Sequence, residues 1–141
     1  MKKLLLLPLL VITCFCFAQD AKEIIGEPIK IGNLLVAEYD FPNEMNWEDA
    51  KKACRTLGKG WRLPTKAELN ILYKNRRKMG RVSDWEGYWT STLVPKQLWD
   101  PKWTSDDIGE GIVWRQYFTS GIQGYASISN NKCVVRAVKL L

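Results

Sequence analysis

The 141-residue sequence contains no histidine, the side chain that most often serves as a general base or a metal ligand. A Ser-His-Asp triad, a Cys-His pair and a His-ligated zinc site are therefore excluded. Four acids lie close together in one segment: Asp100, Asp106, Asp107 and Glu110. Asp106 or Asp107 with Glu110 could form a glycosidase carboxylate pair, and all four offer oxygen ligands for Ca²⁺. No known motif accompanies them, so we expect a solvated loop, with no catalytic residue, metal or cofactor.

Basic residues outnumber acidic residues by 21 to 15, which gives a formal net charge of +6. Five of them fall in one short stretch: Lys74, Arg76, Arg77, Lys78 and Arg81. One interpretation is structural, because cations stabilise the C-terminal end of a helix. The other is a surface patch for an anionic partner.

Two of the seven tryptophans, Trp99 and Trp103, lie in a connection over residues 94–111. Connections this long inside a compact domain are usually functional or disordered, and exposed indole rings can stack on sugars or partner side chains. The alternative is a loop that folds back and buries its own tryptophans. The candidate binding residues are therefore Trp99, Trp103, Asp106 and Asp107, together with the five cations.

The N-terminus has the pattern of a secretory signal peptide, with a basic start and an apolar run over residues 4–18. We expect cleavage after Ala18, and the run is too short for a stable membrane anchor, which needs about 20 apolar residues. The alternatives are a buried N-terminal helix and lipoprotein processing at Cys14 or Cys16, before which Thr13 and Phe15 fit poorly. The prediction is an exported chain that is periplasmic, on the cell surface or secreted.

Removal of residues 1–18 takes away Lys2 and Lys3, so the net charge falls from +6 to +4. Two cysteines remain, Cys54 and Cys133. In an exported chain this pair indicates one disulfide, and the alternative is two separate buried thiols. Export and the modest charge argue against nucleic acid as a partner.

Helix and strand patterns divide the remaining chain. Residues 19–28 are polar and predicted to be a loose leader, and residues 29–141 form one domain. A helix is predicted after the N-cap Asn46, with an apolar stripe that includes Trp47 and Cys54 and a stop at Gly58. A second begins at the capping box Thr65-Lys66-Ala67-Glu68 and is predicted to end at Gly80. Strands are predicted over residues 34–39, 88–92, 112–118, 122–128 and 132–140. Early helices and a late meander indicate an α+β fold.

Residues 46–54 resemble the first helix of C-type-lectin-like domains. More closely, the chain resembles the Lcl C-terminal-domain family, a branch of that fold found in exported bacterial proteins. The resemblance runs from about residue 31 to residue 138. The residues that carry it are Trp61-Arg62-Leu63-Pro64-Thr65, Glu68-Leu69, Tyr88-Trp89-Thr90-Ser91 and Val134-Val135-Arg136-Ala137-Val138.

The resemblance implies two helices packed on antiparallel strands, with one long loop as the recognition surface. In these domains the helix cysteine pairs with a cysteine of the last strand, which implies a Cys54–Cys133 bond. The calcium motifs of C-type lectins are absent from the expected places, so no calcium ligand is carried over. We predict structural roles for five residues, because of the apolar stripe or the rigid donor fork of arginine: Trp47, Trp61, Arg62, Trp89 and Arg136.

The family includes the glycosaminoglycan-binding end of a bacterial adhesin. We therefore predict a non-catalytic binding domain that recognises acidic or other polysaccharide. The alternative is a protein-interaction or structural component of the cell surface. An enzyme is less favoured, because the related formylglycine-generating enzymes need a reactive cysteine pair near the C-terminus and only Cys133 lies there.

Overall fold

The computed structural model describes residues 20–83, 87–102, 104 and 110–141. The predicted signal peptide, residues 1–18, lies outside the described residues. The candidate binding residues Trp103, Asp106 and Asp107 also lie outside them. Trp99 and the five cations of the basic stretch are described.

The predicted loose leader is instead ordered structure, because residues 20–25 are helical. Ala21, Ile24 and Ile25 pack against the buried core. These side chains lie at i, i+3 and i+4, the spacing that places them on one face of a helix. The prediction failed because the segment is polar overall, although its few apolar side chains lie on one face of the helix.

Both ends of the domain meet in a three-stranded antiparallel sheet. Strands β1 (Ile29–Ile31), β2 (Leu34–Val36) and β6 (Val138–Leu140) lie in the order β1-β2-β6. Gly32, at φ +63°, makes the tight turn between β1 and β2. The central strand β2 therefore holds the beginning and the end of the domain side by side.

Helix α1 spans Trp47–Thr56, close to the predicted bounds. Its N-cap Asn46 accepts a hydrogen bond from the Asp49 amide at 2.9 Å. The chain leaves the helix at Gly58, whose φ of +122° is a conformation that side chains disfavour. The N-cap, the buried apolar face and the glycine after the helix are therefore those that the sequence predicts.

Helix α2 spans Lys66–Lys74 and begins at the predicted capping box. The prediction that it continues to Gly80 is wrong. The Asn75 side chain donates to the Ile71 carbonyl at 2.9 Å, and a 3₁₀ turn over Arg76–Lys78 follows. Asn75 competes for a terminal carbonyl of the helix and ends it one turn earlier than glycine would.

A second antiparallel sheet contains β3 (Gly87–Leu93), β4 (Ile112–Tyr117) and β5 (Gln123–Ser127), in that order. These bounds agree with the predicted strands to within two residues. Together with the helices they confirm the predicted α+β fold class. A 3₁₀ turn over Lys96–Leu98 begins the long connection between β3 and β4.

The predicted final strand over residues 132–140 is shorter than expected. Only Val138–Leu140 belongs to a ladder, whereas Cys133 and Val134 make single bridges to Met45 and Tyr88. This segment crosses from one sheet to the other, so it cannot pair continuously with either.

The crossing segment separates two clusters of buried side chains. Cys133, Val135 and Ala137 lie in one cluster, and Val134 and Val138 lie in the other. This is the alternation of an extended chain with both faces buried.

Indole hydrogen bonds join α1 to the second sheet. Trp47 donates from Nε1 to the Thr90 carbonyl at 2.8 Å, and Trp89 donates to the Met45 carbonyl at 2.7 Å. Trp47, Trp61 and Trp89 are all buried. A buried indole needs an acceptor for its NH, and here the acceptors belong to neighbouring segments.

The side chain of Arg136 is buried and crosslinks three parts of the chain. Its Nε is hydrogen-bonded and ion-paired to Asp40. Its Nη1 donates to the Ala37 and Glu38 carbonyls, and its Nη2 donates to the Arg81 carbonyl at 2.8 Å. All three guanidinium nitrogens thus have partners, as a buried arginine requires.

Tyr88 extends this network into the second sheet. Its hydroxyl donates to Asp40 at 2.7 Å and accepts from the Ser83 amide at 2.6 Å. Burial, reinforced by the Asp40 charge, raises the pKa of Tyr88 well above its usual value. The hydroxyl therefore stays protonated and remains a donor to Asp40.

We expect Arg136→Ala to lower the free energy of unfolding by about 3–5 kcal/mol, because it leaves Asp40 without its cation and three carbonyls without donors. Urea denaturation monitored by tryptophan fluorescence measures the change. The exposed Arg77→Ala is the matched control and should stay within about 0.5 kcal/mol of the parent. Equal stability of the two variants would contradict the structural role of Arg136.

Candidate functional site

The five cations lie where α2 ends and the chain turns toward β3. Met79 is fully buried in the core cluster that also contains Val134 and Val138, and its side chain anchors the segment to the core. Lys74, Arg77, Lys78 and Arg81 are exposed. The buried methionine therefore fixes a short turn whose charged neighbours point to solvent. We call residues 74–81 the basic segment.

Arg76 differs from the other cations of the basic segment. Its guanidinium lies 4.3 Å from the centre of the Tyr73 ring and donates to the Tyr73 carbonyl at 3.0 Å. This contact is a helix-terminal interaction of the kind the structural interpretation expects. Arg76 caps the helix, and the four exposed cations remain as the surface charge.

Ion pairs neutralise other basic residues but not the basic segment. Lys51 and Lys52 of α1 pair with Glu48 and Asp49. Within the described residues, no carboxylate lies within ion-pair distance of any cation of the basic segment. Among the described residues, the cations of the basic segment therefore differ from Lys51 and Lys52, whose charge is offset by a neighbouring carboxylate.

Trp99 turns back toward the beginning of its own loop. It is half-buried, and its Nε1 donates to the Val94 carbonyl at 3.0 Å. The structure thus favours the folded-back alternative for this residue over a fully exposed platform. Leu93 and Leu98, which precede it in the chain, are 54% and 61% exposed.

The loop acids that are described have local roles. Asp100 accepts a hydrogen bond from the Lys102 amide at 2.9 Å, and the Glu110 amide donates to the Ser129 hydroxyl. Among residues 20–83, 87–102, 104 and 110–141, no group of three acids or cysteines is placed to hold a metal ion.

Cys54 and Cys133 are both buried and belong to the same core cluster. The predicted disulfide between them is not formed in the structure, where both are thiols. Burial raises the pKa of the Cys54 thiol to about 12, so little reactive thiolate exists at neutral pH. The Cys54–Cys133 disulfide stays a prediction for the exported chain.

Sequence reasoning missed a second group of aromatic and polar side chains, where α2 crosses β4 and β5. Lys66 and Asn70 of α2 face Trp114 of β4 and Gln123 of β5. Trp114 is paired with Tyr125 across the two strands. The available signal was the i, i+4 spacing of Lys66 and Asn70, which places both on one face of a helix.

The beginning of α2, which positions Lys66, is fixed by an ion pair. Both Glu68 carboxylate oxygens accept from the Arg62 guanidinium, at 2.7 and 2.8 Å, and one also accepts from the Thr65 amide. The Arg62 hydrogen bonds hold the pKa of the Glu68 carboxyl below its usual value. Fork geometry of this kind gives orientation as well as energy.

This geometry is that of a C-type-lectin-like domain, as solved structures show. Botrocetin matches with a TM-score of 0.53 at 12% identity, over 80% of this chain and 93% of its own. A complex of botrocetin with a mutant von Willebrand factor A1 domain matches at 0.57, with 14% identity and coverages of 82% and 98%. EMS16, an antagonist of the collagen receptor integrin alpha2beta1, matches at 0.56, with 11% identity and coverages of 81% and 97%.

The sequence itself identifies the family. The Lcl C-terminal domain model matches residues 26–139, and the chain therefore belongs to the Lcl C-terminal domain family. A search of curated proteins found no match to this sequence. In the part of the chain that the structure describes, no helix is long and apolar enough to cross a membrane.

We expect the Arg62–Glu68 pair to make stability depend on acid pH. Because the folded state lowers the pKa of Glu68, its contribution is complete above about pH 4.5 and is lost as the pH falls through the folded value. Urea midpoints between pH 7 and pH 3 measure this. Glu68→Gln should lower the midpoint at pH 7 and flatten its decline in acid.

Glu48→Gln is the matched control, because Glu48 makes an exposed ion pair at the start of the other helix. Its profile should follow that of the parent. Parallel pH profiles for Glu68→Gln and the parent would contradict the assigned role of the pair.

Proposed function

We propose that the chain is a non-catalytic, exported binding domain that recognises acidic polysaccharide through the basic segment. The observation that carries the proposal is the group of exposed cations, Lys74, Arg77, Lys78 and Arg81, held on a buried anchor without neighbouring carboxylates among the described residues. From the sequence, the loop over residues 94–111 is proposed as a second recognition surface.

Electrostatic contact gives this function a simple mechanism. Sulfate and carboxylate groups along a polysaccharide replace mobile counterions around the cations, and the released ions favour binding. Exposed lysine and arginine suit a repeating ligand, because each contact is weak and many form together. The lectin-like fold supports the non-catalytic assignment, since botrocetin and EMS16 are described by the proteins they bind or antagonise.

The triple variant Lys74→Ala/Arg77→Ala/Lys78→Ala should weaken heparin binding roughly tenfold or more, as three charge contacts of up to about 1 kcal/mol each are lost. Affinity is measured by calorimetry at two salt concentrations. The parent should lose affinity steeply as salt rises, and the triple variant should respond less.

The triple variant Lys52→Ala/Arg55→Ala/Lys59→Ala is the matched control, because it removes the same charge from exposed positions around α1. It should retain most of the affinity, and neutral dextran should not bind the parent. Equal losses in both triple variants would indicate a net-charge effect and contradict a site at the basic segment. Heparin binding that ignores salt would contradict the electrostatic mechanism.

We also propose that export adds the Cys54–Cys133 disulfide. Both cysteines lie in one core cluster, and an oxidising compartment favours pairing. Because burial raises the pKa of Cys54, the thiolate that disulfide formation requires is scarce in the folded chain, and pairing is expected before the core encloses this side chain.

Mass spectrometry of non-reduced protein recovered from its exported location should find a Cys54–Cys133 crosslinked peptide. Reduction should lower the unfolding temperature, because the bond closes a long loop in the unfolded chain. Two alkylatable thiols in exported, unfolded protein would contradict the proposal. The Cys54→Ala/Cys133→Ala variant, which cannot respond to reductant, is the control.

The second candidate function is protein binding. Leu93 and Leu98 present exposed apolar side chains at the start of the long loop, a pattern typical of protein contacts. Binding of the parent to surface proteins that is lost in Leu93→Ser/Leu98→Ser, with heparin affinity unchanged, would favour this function over the first.

A further inference from the structure

We propose that the hollow between the beginning of α2 and strands β3 and β5 is a subsite for one uronic acid unit of the polysaccharide. The proposal rests on the proposed function and adds a place and a chemistry to it. Lys66 would bind the sugar carboxylate, Tyr125 would stack on the ring, and Asn70 and Gln123 would bind hydroxyl groups.

The hollow is open, and most of the surface that lines it is apolar, although five of its six lining residues carry polar or charged side chains. Its volume is about 420 Å³, within the range of small-ligand sites. The residues that line it are Thr65, Lys66, Ala67, Asn70, Thr92 and Gln123. Three elements therefore contribute to it, namely the beginning of α2, the end of β3 and the beginning of β5.

An aromatic pair lies beside the hollow. Trp114 and Tyr125 are opposite each other on β4 and β5, with ring centres 5.0 Å apart and planes inclined by 68°. The Lys66 ammonium lies 3.2 Å from the centre of the Trp114 ring, so Trp114 positions the cation. Tyr125 is 44% exposed, a large fraction for a tyrosine within a strand, and offers an apolar face to a sugar ring.

Buried hydrogen bonds orient the amides at the hollow. Gln116 is fully buried, and its Nε2 donates to Asn70 Oδ1 at 3.2 Å and to the Gly121 carbonyl at 3.1 Å. Gln123 Nε2 donates to Gln116 Oε1 at 3.2 Å and to the Lys66 carbonyl at 3.0 Å. These bonds occupy one end of each half-buried amide.

The other ends of these amides remain for a ligand. Among the described residues, no protein group is hydrogen-bonded to Asn70 Nδ2 or to Gln123 Oε1. One is a donor and the other an acceptor, which suits hydroxyl groups that both accept and donate. Because the bonds to Gln116 fix both side chains beforehand, little conformational entropy is lost on binding.

Charge selects an acidic sugar over a neutral one. In the described part of the chain, no carboxylate lies within ion-pair distance of Lys66. A uronate carboxylate at Lys66 would gain a charge-assisted hydrogen bond that a neutral hexose lacks.

The hollow is continuous with the basic segment along α2. Lys66, Asn70 and Lys74 lie at i, i+4 and i+8, and the helix rise places Lys74 about 12 Å beyond Lys66. A polysaccharide that follows this stripe would reach the hollow at one end and the exposed cations at the other. Binding of one sugar unit in the hollow would fix the position of the polysaccharide along α2, which contacts with the exposed cations alone would not fix.

The test uses tetragalacturonate as the probe and its methyl ester as the uncharged counterpart. Side-chain NMR signals of the purified protein should shift at the Trp114 indole NH and at the Asn70 and Gln123 amides. Tyr125→Ala and Lys66→Gln should each weaken binding at least tenfold, and the methyl ester should bind at least tenfold more weakly than the acid.

Tyr39→Ala is the control, because Tyr39 is 50% exposed on another face and its loss should leave affinity unchanged. Urea denaturation of each variant shows whether it is folded, and Tyr125→Phe, which keeps the ring, should retain binding.

The outcomes separate the two proposals. Shifts confined to the basic segment, unaltered binding by Tyr125→Ala, or equal binding of the methyl ester would overturn the subsite and leave the proposed function intact. Heparin binding without any tetragalacturonate binding would also overturn it. If neither heparin nor tetragalacturonate binds, both proposals fail.

Discussion

The buried guanidinium of Arg136 is the constraint on which the rest of the domain depends. A buried charge is tolerated only where it is paired and hydrogen-bonded. Here each of the three guanidinium nitrogens has an acceptor, in the segment after β2 or in the segment before β3. The same arginine interrupts an otherwise apolar crossing segment between two core clusters. The polar network therefore specifies how the two sheets meet, which apolar packing alone would leave less defined.

Fixing that junction also fixes the surface proposed to bind. One acceptor of Arg136 is the carbonyl of Arg81, at the end of the basic segment, and Met79 secures its middle. At the other end of α2, Arg62 and the capping box secure the first turn. The helix is thus held at both ends, so its cations are presented from a rigid element rather than from a mobile tail. Preorganisation of this kind lowers the entropy lost on binding.

Local patterns in the sequence predicted most of the fold. Asn46, Thr65 and Glu68 defined helix starts, because caps act over three residues, and alternation located β3, β4 and β5. Predictions failed where contacts between distant parts of the chain determine the secondary structure. In the crossing segment, Cys133 bridges to Met45 and the next residue, Val134, bridges to Tyr88, so no continuous strand forms. The ordered helix at residues 20–25 was missed because its three apolar side chains are too few to dominate a polar stretch.

The candidate site was only partly predictable for the same reason. The basic segment is contiguous in sequence and was found, whereas the hollow unites α2 with β3 and β5. Its aromatic pair depends on the register that sets Trp114 opposite Tyr125, and a shift of one residue would turn one ring to the other face. The sequence left open whether Trp99 is exposed or folds back, and its indole hydrogen bond to the Val94 carbonyl favours the second.

The sheet that joins the two ends of the domain has a mechanical consequence. Strands β1 and β6 both run antiparallel to β2 and hence parallel to each other. Tension applied between the two ends would pull β1 and β6 in opposite directions along the strand axis. Such a load shears all the hydrogen bonds of a strand together instead of opening them one after another. A domain gripping a surface in flowing liquid would therefore resist rupture through its unfolding rate, whatever its equilibrium stability at rest.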